Sequence, residues 1–369
     1  MKIIIATDSF KGALRSSEVC AAIMRGLCRA LPDAELIAVP MADGGEGTVH
    51  AVIQATGGIL RQAEVRDPLM KRVNAEYGLT PEPRCCAVFE MAAASGIELL
   101  LPNQLNPLKT TTFGTGQMLL KMLDDGAEEI LLGIGGSATV DGGAGMMQAL
   151  GAQLLDEFGN ILPDGVGGGD LCRIAKIDLS GLDSRLRRCH FNVACDVNVP
   201  LLGPTGAARM FGPQKGATPA MVETLERNLA HWAEITGESC STPGDGAAGG
   251  LGFALRALLN AQISSGAELV IEITDLVKKM DGADLVITGE GCSDEQTSTG
   301  KLCATVAMAA RNINIPTILL SGALKGDFSD IFLAAWSIAR GPCKLDEAIQ
   351  NTAVNLEMAA TNIGNMMKL

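Results

Sequence analysis

Basic residues are in deficit in this chain: 29 Lys and Arg face 42 Asp and Glu, a net charge of −13 over 369 residues. No basic stripe offsets that balance, which argues against nucleic acid or an anionic membrane surface as partner. Long apolar runs are missing too. The N-terminus reaches Asp8 after one short apolar stretch, too short for a signal peptide or a membrane span. Histidine is rare, with only His50, His190 and His231, at no spacing that suits a metal. The eleven cysteines include no C-x-x-C pair, and Cys20, Cys28 and Cys195 sit in apolar segments as small hydrophobes. A reduced, cytoplasmic protein without a zinc site is expected. Aromatic content is only 3%, while glycine is abundant at 44 residues and 47% of the chain is hydrophobic, as suits a soluble α/β enzyme.

Familiar nucleotide motifs are also missing. Gly300-Lys301 lacks the spaced glycine and the following Ser or Thr of a Walker A loop. The H-R-D and D-F-G motifs of protein kinases do not occur. Phosphate chemistry here needs another scaffold.

Such a scaffold is offered by residues 128–145, Glu-Glu-Ile-Leu-Leu-Gly-Ile-Gly-Gly-Ser-Ala-Thr-Val-Asp-Gly-Gly-Ala-Gly. The apolar run 130–134 reads as a buried strand. It empties into Gly135, Gly136, Ser137, Ala138 and Thr139, then Asp141, Gly142 and Gly143, and a helical pattern follows over 144–155. Glycines allow close backbone approach, and a helix start adds partial positive charge, so a phosphate is expected here. Asp141 would repel it unless a cation such as magnesium lies between. Gly133, Gly135 and Ala138 also fit the loose dinucleotide fingerprint, with Asp156 near the expected distance for a ribose contact, which leaves an NAD-dependent oxidoreductase as an alternative.

The length allows two domains at ~150 residues each. From the N-terminus, a strand ending at Asp8, a helix over 16–31 with Ser16 as N-cap, a strand over 36–40 and a helix closed by Gly57 and Gly58 read as β-α-β-α, the start of a parallel sheet. Residues 64–79 alternate, as in an antiparallel pair. A strand over 191–197 carries Asp196, and 244–252 reads as a flexible glycine loop. Strands over 285–291, 315–321 and 336–339 and a closing helix over 346–358 restore the parallel texture. Five strands, two early and three late, then form one flavodoxin-like parallel sheet. The expected fold is α/β: residues 1–59 plus 264–369 as that domain, and 60–263 as a second, inserted α/β domain with a mixed sheet and the glycine loop.

Acidic residues gather at the ends of the parallel strands. Asp8, Asp43, Glu290 and Asp294 all follow strands of the proposed sheet, where open sheets bind ligands. Grouped carboxylates are costly unless they meet a cation or a substrate hydroxyl. Lys11, Lys215 and Lys301 lie in or near glycine turns and can balance a phosphoryl group or a carboxylate. Asp196 on an apolar strand reads as a buried carboxylate or a base. Thr110 to Thr112 either touch substrate or cap the next helix.

These motifs together resemble the bacterial glycerate kinase family (glycerate 2-kinase, type I). The resemblance rests on Asp8-Ser-Phe-Lys-Gly12, Met41-Ala-Asp-Gly-Gly-Glu-Gly-Thr48, Gly133-Ile-Gly-Gly-Ser-Ala-Thr139, Asp141-Gly-Gly-Ala-Gly145, Phe211-Gly-Pro-Gln-Lys-Gly216 and Thr288-Gly-Glu-Gly291 with Asp294. It implies two α/β domains with the active site in the cleft between, Mg-ATP as donor, and D-glycerate phosphorylated to a phosphoglycerate, with 2-phosphoglycerate expected. On this reading the loop residues Gly133, Gly135, Gly136, Ser137, Ala138, Thr139, Asp141, Gly142 and Gly143 hold the nucleotide. Asp43, Glu290 and Asp294 hold magnesium; Asp8, Ser9, Lys11, Thr110 and Thr111 meet glycerate. Asp196, Lys11 and Lys215 carry the catalysis. A monomer or homodimer is expected. The chain departs from the family pattern at Cys292 and Ser293, where Arg-Ile is usual, at Asn198 and Val199, and at Val140. These departures keep a catalytically weakened, glycerate-kinase-like binding protein as a further alternative.

Overall fold

The computed structural model describes residues 1–83, 85–295, 297 and 301–368; Gly300, of the rejected Walker A reading, lies outside them. The chain divides into two compact units, one of Met1–Asp43, Gly47–Gly58 and Gly266–Leu369, the other of Gly44–Glu46 and Ile59–Ser265.

The first unit is built on a parallel sheet of five strands. Their spatial order is Ala334–Ser337, Thr317–Leu324, Leu285–Ser293, Lys2–Ile5 and Glu35–Ala38. A parallel strand covered on both faces needs an unbroken apolar run rather than an alternating one. Ile3, Ile4 and Ile5 supply it, each fully buried, with Ile4 in register with Val286 on one side and Ile37 on the other. The helix Ser16–Ala30 buries Val19, Ile23 and Leu27. Its N-cap is Arg15, so Ser16 stands one position inside the helix and caps nothing. Glu18 closes the turn instead, its Oε2 accepting from the Arg15 N–H at 2.9 Å. The expected closing helix is two helices, Leu345–Gln350 and Thr352–Met366. They break at Asn351, whose side-chain amide donates back to the Glu347 carbonyl at 2.9 Å, competing with the backbone ladder. The second runs well past 358 because Leu356, Ala360 and Ile363 bury in the same core as Ile23 and Leu27.

The second unit carries a mixed sheet of six strands in the order Gln262–Ser264, His190–Ala194, Glu129–Gly133, Cys86–Glu90, Arg72–Leu79 and Ile59–Arg66. The last three pair antiparallel and the others parallel. The α/β class read from the sequence is the one adopted, with one parallel and one mixed sheet. Local details differ. The helix expected over 144–155 ends at Ala149, because Gly151 takes φ +106° in close contact with the Gly181 backbone. Residues Gln153–Leu155 then form a two-stranded antiparallel ribbon with Lys176–Asp178. The stretch 244–252 is no flexible loop. It is buried from Gly244 onward, and fully buried Asp245 takes two hydrogen bonds from the Arg256 guanidinium, at 2.7 and 3.0 Å. All eleven cysteines are free thiols. Among the described residues, no helix is long and apolar enough to cross a membrane.

Candidate active site

The first unit gathers carboxylates at one end of its sheet. The backbone N–H of Asp8 donates to the Gly289 carbonyl at 2.9 Å, extending the pairing of the first strand with Leu285–Ser293 and setting Asp8 beside the Gly289-Glu290-Gly291 turn. Burial pushes the Asp8 carboxyl up to about 7, helped by the like charges of Asp43 and Glu290 and opposed by the Ser9 N–H, which donates to Asp8 Oδ1 at 2.6 Å. Glu290 is also raised, mainly by burial. It is held down by hydrogen bonds from Thr297 Oγ1 and Ser293 Oγ, each 2.8 Å from its Oε1, and by the charge of Lys301, while Asp294 pushes it up. Asp8, Asp43, Glu290 and Asp294 therefore form one electrostatically linked set. Among the described residues, no three His, Cys, Asp or Glu side chains stand close enough together to hold a metal ion. Lys11 is exposed, and Ser9 half-buried, in the turn closed by Phe10 and Leu14, with Gly12 at φ +77°.

The glycine loop of the second unit is mostly interior. Only Gly135 and Gly136 are exposed; Gly133 and the stretch from Ser137 to Gly145 are buried. Ala138, Thr139 and Asp141 are fully so. The Asp141 carboxylate is not facing outward. Its Oδ2 accepts from Thr112 N–H at 2.7 Å, Thr112 Oγ1 at 2.8 Å and Gly145 N–H at 3.3 Å, and its Oδ1 from Gly143 N–H at 3.2 Å. These bonds hold its acidity up against the burial that raises its pKa. They also occupy N–H groups at the start of the helix Ala144–Ala149, so Asp141 takes the place where an anionic ligand was expected. Gly142 and Gly143 are packing glycines. A Cβ on Gly142 would lie 2.6 Å from the Trp232 ring, and one on Gly143 2.4 Å from the Ala254 Cβ. Trp232 Nε1 further donates to the Gly142 carbonyl at 3.0 Å.

The loop residues Ser137 and Thr139 hold a buried lysine. Lys215, on the short turn Pro213–Lys215, is 1% exposed, and its Nζ donates to Ser137 Oγ at 2.6 Å and to the Thr139 carbonyl at 2.7 Å. Burial lowers its pKa to about 7, and the Asp141 charge works against that fall. The geometry excludes a solvated lysine at this position. Thr110 and Thr111 are fully buried. Thr110 Oγ1 donates to the Ala138 carbonyl at 2.8 Å and braces the loop, Thr111 Oγ1 accepts from the Phe113 N–H at 3.3 Å, and neither presents its hydroxyl to solvent.

Asp196 corrects another expectation. The strand ends at Ala194, and Asp196 lies beyond it and is exposed, so the cost of burying an unpaired carboxylate does not apply. Of the departures from the family pattern, Val140 is fully buried in the core with Leu225, Leu229 and Trp232, whereas Cys292 and Asn198 are exposed. Asp156, the ribose candidate, closes a surface turn after the ribbon strand, its carboxylate accepting from Phe158 N–H at 2.9 Å and Asn160 N–H at 2.8 Å. It belongs to a turn, not to a dinucleotide site. Sequence reasoning missed the parts of Thr112, Ser293 and Thr297. A hydroxyl three or seven residues beyond Glu290 carries no signal until the chain turns back.

A profile of the glycerate kinase family matches residues 3–368. Escherichia coli (strain K12) glycerate 2-kinase is 46% identical over 98% of this chain and 97% of its own length. Bacillus subtilis (strain 168) glycerate kinase is also 46% identical, over 100% and 98%. A crystal structure from Salmonella typhimurium LT2, provisionally named glycerate kinase 2, superposes with a TM-score of 0.92 at 46% identity, covering 100% of this chain and 98% of that one.

Proposed function

Since the chain belongs to the glycerate kinase family, with an enzyme's activity as a phosphotransferase to an alcohol group, we propose that it transfers the γ-phosphoryl group of ATP to D-glycerate, giving 2-phosphoglycerate. The observation that carries the nucleotide part is Lys215. A fully buried lysine bonded to Ser137 and Thr139 sets positive potential at the glycine loop, whose neighbouring Gly135 and Gly136 are exposed backbone that a phosphate can approach closely. That the Escherichia coli relative is a glycerate 2-kinase supports the 2-position for the product.

In this reading Gly133, Gly135, Gly136, Ser137, Ala138 and Thr139 form the phosphate turn, and Asp141, Gly142 and Gly143 fix its shape from behind. Lys215 supplies positive potential to the turn, and exposed Lys11 neutralises charge on the substrate. Asp8 and Ser9 orient glycerate, with Thr110 and Thr111 behind the loop, and Asp196 takes or orients the acceptor hydroxyl's proton. The reaction is in-line and rests on positioning and electrostatics.

No three described carboxylates form a ready-made metal site, so a magnesium ion at the acidic edge would take its remaining ligands from water and phosphate. Carboxylates that push one another's proton affinity upward are relieved by a divalent cation, and Asp43, Glu290 and Asp294 would hold it. When bound, the ion screens negative charge on the nucleotide phosphates. We place the protein in the cytoplasm, as a monomer or homodimer, acting on small molecules and not on nucleic acid; its free thiols support that location. We take 1–59 plus 264–369 and 60–263 as its two domains.

A coupled assay for ADP tests this reading. ADP should form only when ATP, magnesium and D-glycerate are present together. ATP consumption that ignores glycerate would overturn the assignment of substrate, and reduction of NAD by glycerate would overturn the reaction class.

A further inference from the structure

Three consecutive backbone donors in the glycine loop are unspent. Among the described residues, none accepts from the N–H of Gly135, Gly136 or Ser137. The loop is nevertheless fixed in place. The Ile97 N–H donates to the Gly136 carbonyl at 2.8 Å, and the Ala138 N–H donates to the Ser95 carbonyl at 2.9 Å. Gly136 takes φ +73°, and a left-handed residue in such a turn brings successive N–H groups toward one concave face, a shape that suits an anion. Next to these donors stands a hydroxyl with a proton to give. Lys215 Nζ donates to Ser137 Oγ at 2.6 Å and to the Thr139 carbonyl at 2.7 Å. An ammonium has three donors and no acceptor, so Ser137 Oγ can only accept from it, and the Ser137 proton must go elsewhere. Among the described residues, no group takes that proton. Lys215 is itself too deeply buried to touch a ligand, whereas Ser137 keeps 7% of its surface.

We infer that the Ser137 hydroxyl and the N–H groups of Gly135, Gly136 and Ser137 together bind one phosphoryl group of the nucleotide, and that Lys215 is a positioning residue acting through Ser137. The inference deepens the reading of this loop as the phosphate turn and rests on it. Accepting a bond from a cation commits the hydroxyl to donate outward and polarises it, so it donates more strongly. A hydrogen bond to a charged group carries on the order of 10–100-fold in affinity. The buried lysine thereby gains a task that needs no contact with the ligand.

The test is isothermal titration calorimetry of the full-length protein with ATP and with adenosine, magnesium present throughout. The variants are Ser137→Ala, Lys215→Met, the two combined, and Gly135→Asp. A Cβ on Gly135 would have Gly45 Cα, at 4.0 Å, as its nearest neighbour, so a carboxylate can be set beside the turn without a clash. Ser137→Ala and Lys215→Met should each weaken ATP binding by about 10-fold or more. The combined variant should lose no more than the worse of the two, and adenosine should bind every variant as it binds the unaltered protein. Losses that multiply in the combined variant would show Lys215 acting independently of Ser137 and overturn the inference. An equal loss for adenosine would mark damage to the loop as a whole and overturn it too. If Gly135→Asp weakens ATP binding while Ser137→Ala or Lys215→Met does not, the inference is wrong and the phosphate-turn reading stands. If Gly135→Asp leaves ATP binding unchanged, the phosphate-turn reading itself is wrong and the inference falls with it.

Discussion

The acidic edge of the first unit and the lysine-backed turn of the second meet one physical problem with opposite charges. Burial disfavours whichever form carries charge, so it raises Asp8 to about 7 and lowers Lys215 to about 7. Their surroundings then differ. Asp8 has further carboxylates for neighbours, Asp43 and Glu290, which add to the shift; Lys215 has Asp141, which opposes it. In the first arrangement like charges add to the effect of burial on Asp8. The second is nearly balanced internally, with both Lys215 and Asp141 satisfied by Ser137, Thr139, Thr112 and Gly145. The two buried sites are told apart here by the sign of the neighbouring charges, not by the amount of burial.

Substitutions can break that contrast. The largest effect is expected from Lys215→Met, which removes the cation bonded to Ser137 and Thr139. The ratio kcat/KM should fall about 10²–10³-fold, the loss typical when one preorganised electrostatic group is deleted, and steady-state kinetics checks it. Asp196→Asn comes next. If the exposed Asp196 acts on the acceptor hydroxyl, turnover drops by roughly 10²-fold or more; near-normal turnover removes it from that role.

Asp141→Ala should act on stability before rate. It strips the partner from the Thr112 and Gly145 N–H groups in a fully buried place, at about 1–3 kcal/mol for a buried group left unsatisfied, which urea denaturation measures. The smallest effects are in the pH dependence, and they have opposite sign in the two units. Between its usual 3.8 and about 7, folded Asp8 holds more proton than unfolded Asp8, so its contribution to stability falls as pH rises through that window. Between about 7 and its usual 10.5, folded Lys215 holds less proton than unfolded Lys215, so its contribution rises with pH there. Melting temperatures of metal-free protein should therefore lose their decline below pH 7 in Asp8→Asn and their rise above pH 7 in Lys215→Met.

The sequence made much of the fold legible because its strongest signals are periodic. The run Ile3-Ile4-Ile5 could only be a strand buried on both faces, and the α/β class follows from such runs alternating with helices. Boundaries set by single residues were not legible. The helix after the glycine loop stops at Ala149 because Gly151 adopts a positive φ against the Gly181 backbone, a contact 30 residues away in sequence. The site was legible as residue types more than as roles. The phosphate turn looked uniform from 133 to 143, yet only Gly135 and Gly136 reach the surface, since Gly142 and Gly143 are spent on packing against Trp232 and Ala254. Asp196 showed the converse. An apolar neighbourhood in sequence suggested burial, but the strand ends two residues earlier. Ser293 and Thr297 had no periodic or motif signal and gain meaning only from the oxygen of Glu290 they share.

The account is tested most directly by phosphorus NMR of the protein with Mg-ATP and D-glycerate. The γ-phosphorus signal of ATP should disappear as ADP and one phosphomonoester appear, the ester split into a doublet by the single proton on the carbon at the 2-position. A triplet, from the two protons at the 3-position, would contradict the proposed product, and ATP left intact in the presence of D-glycerate would contradict the proposed reaction.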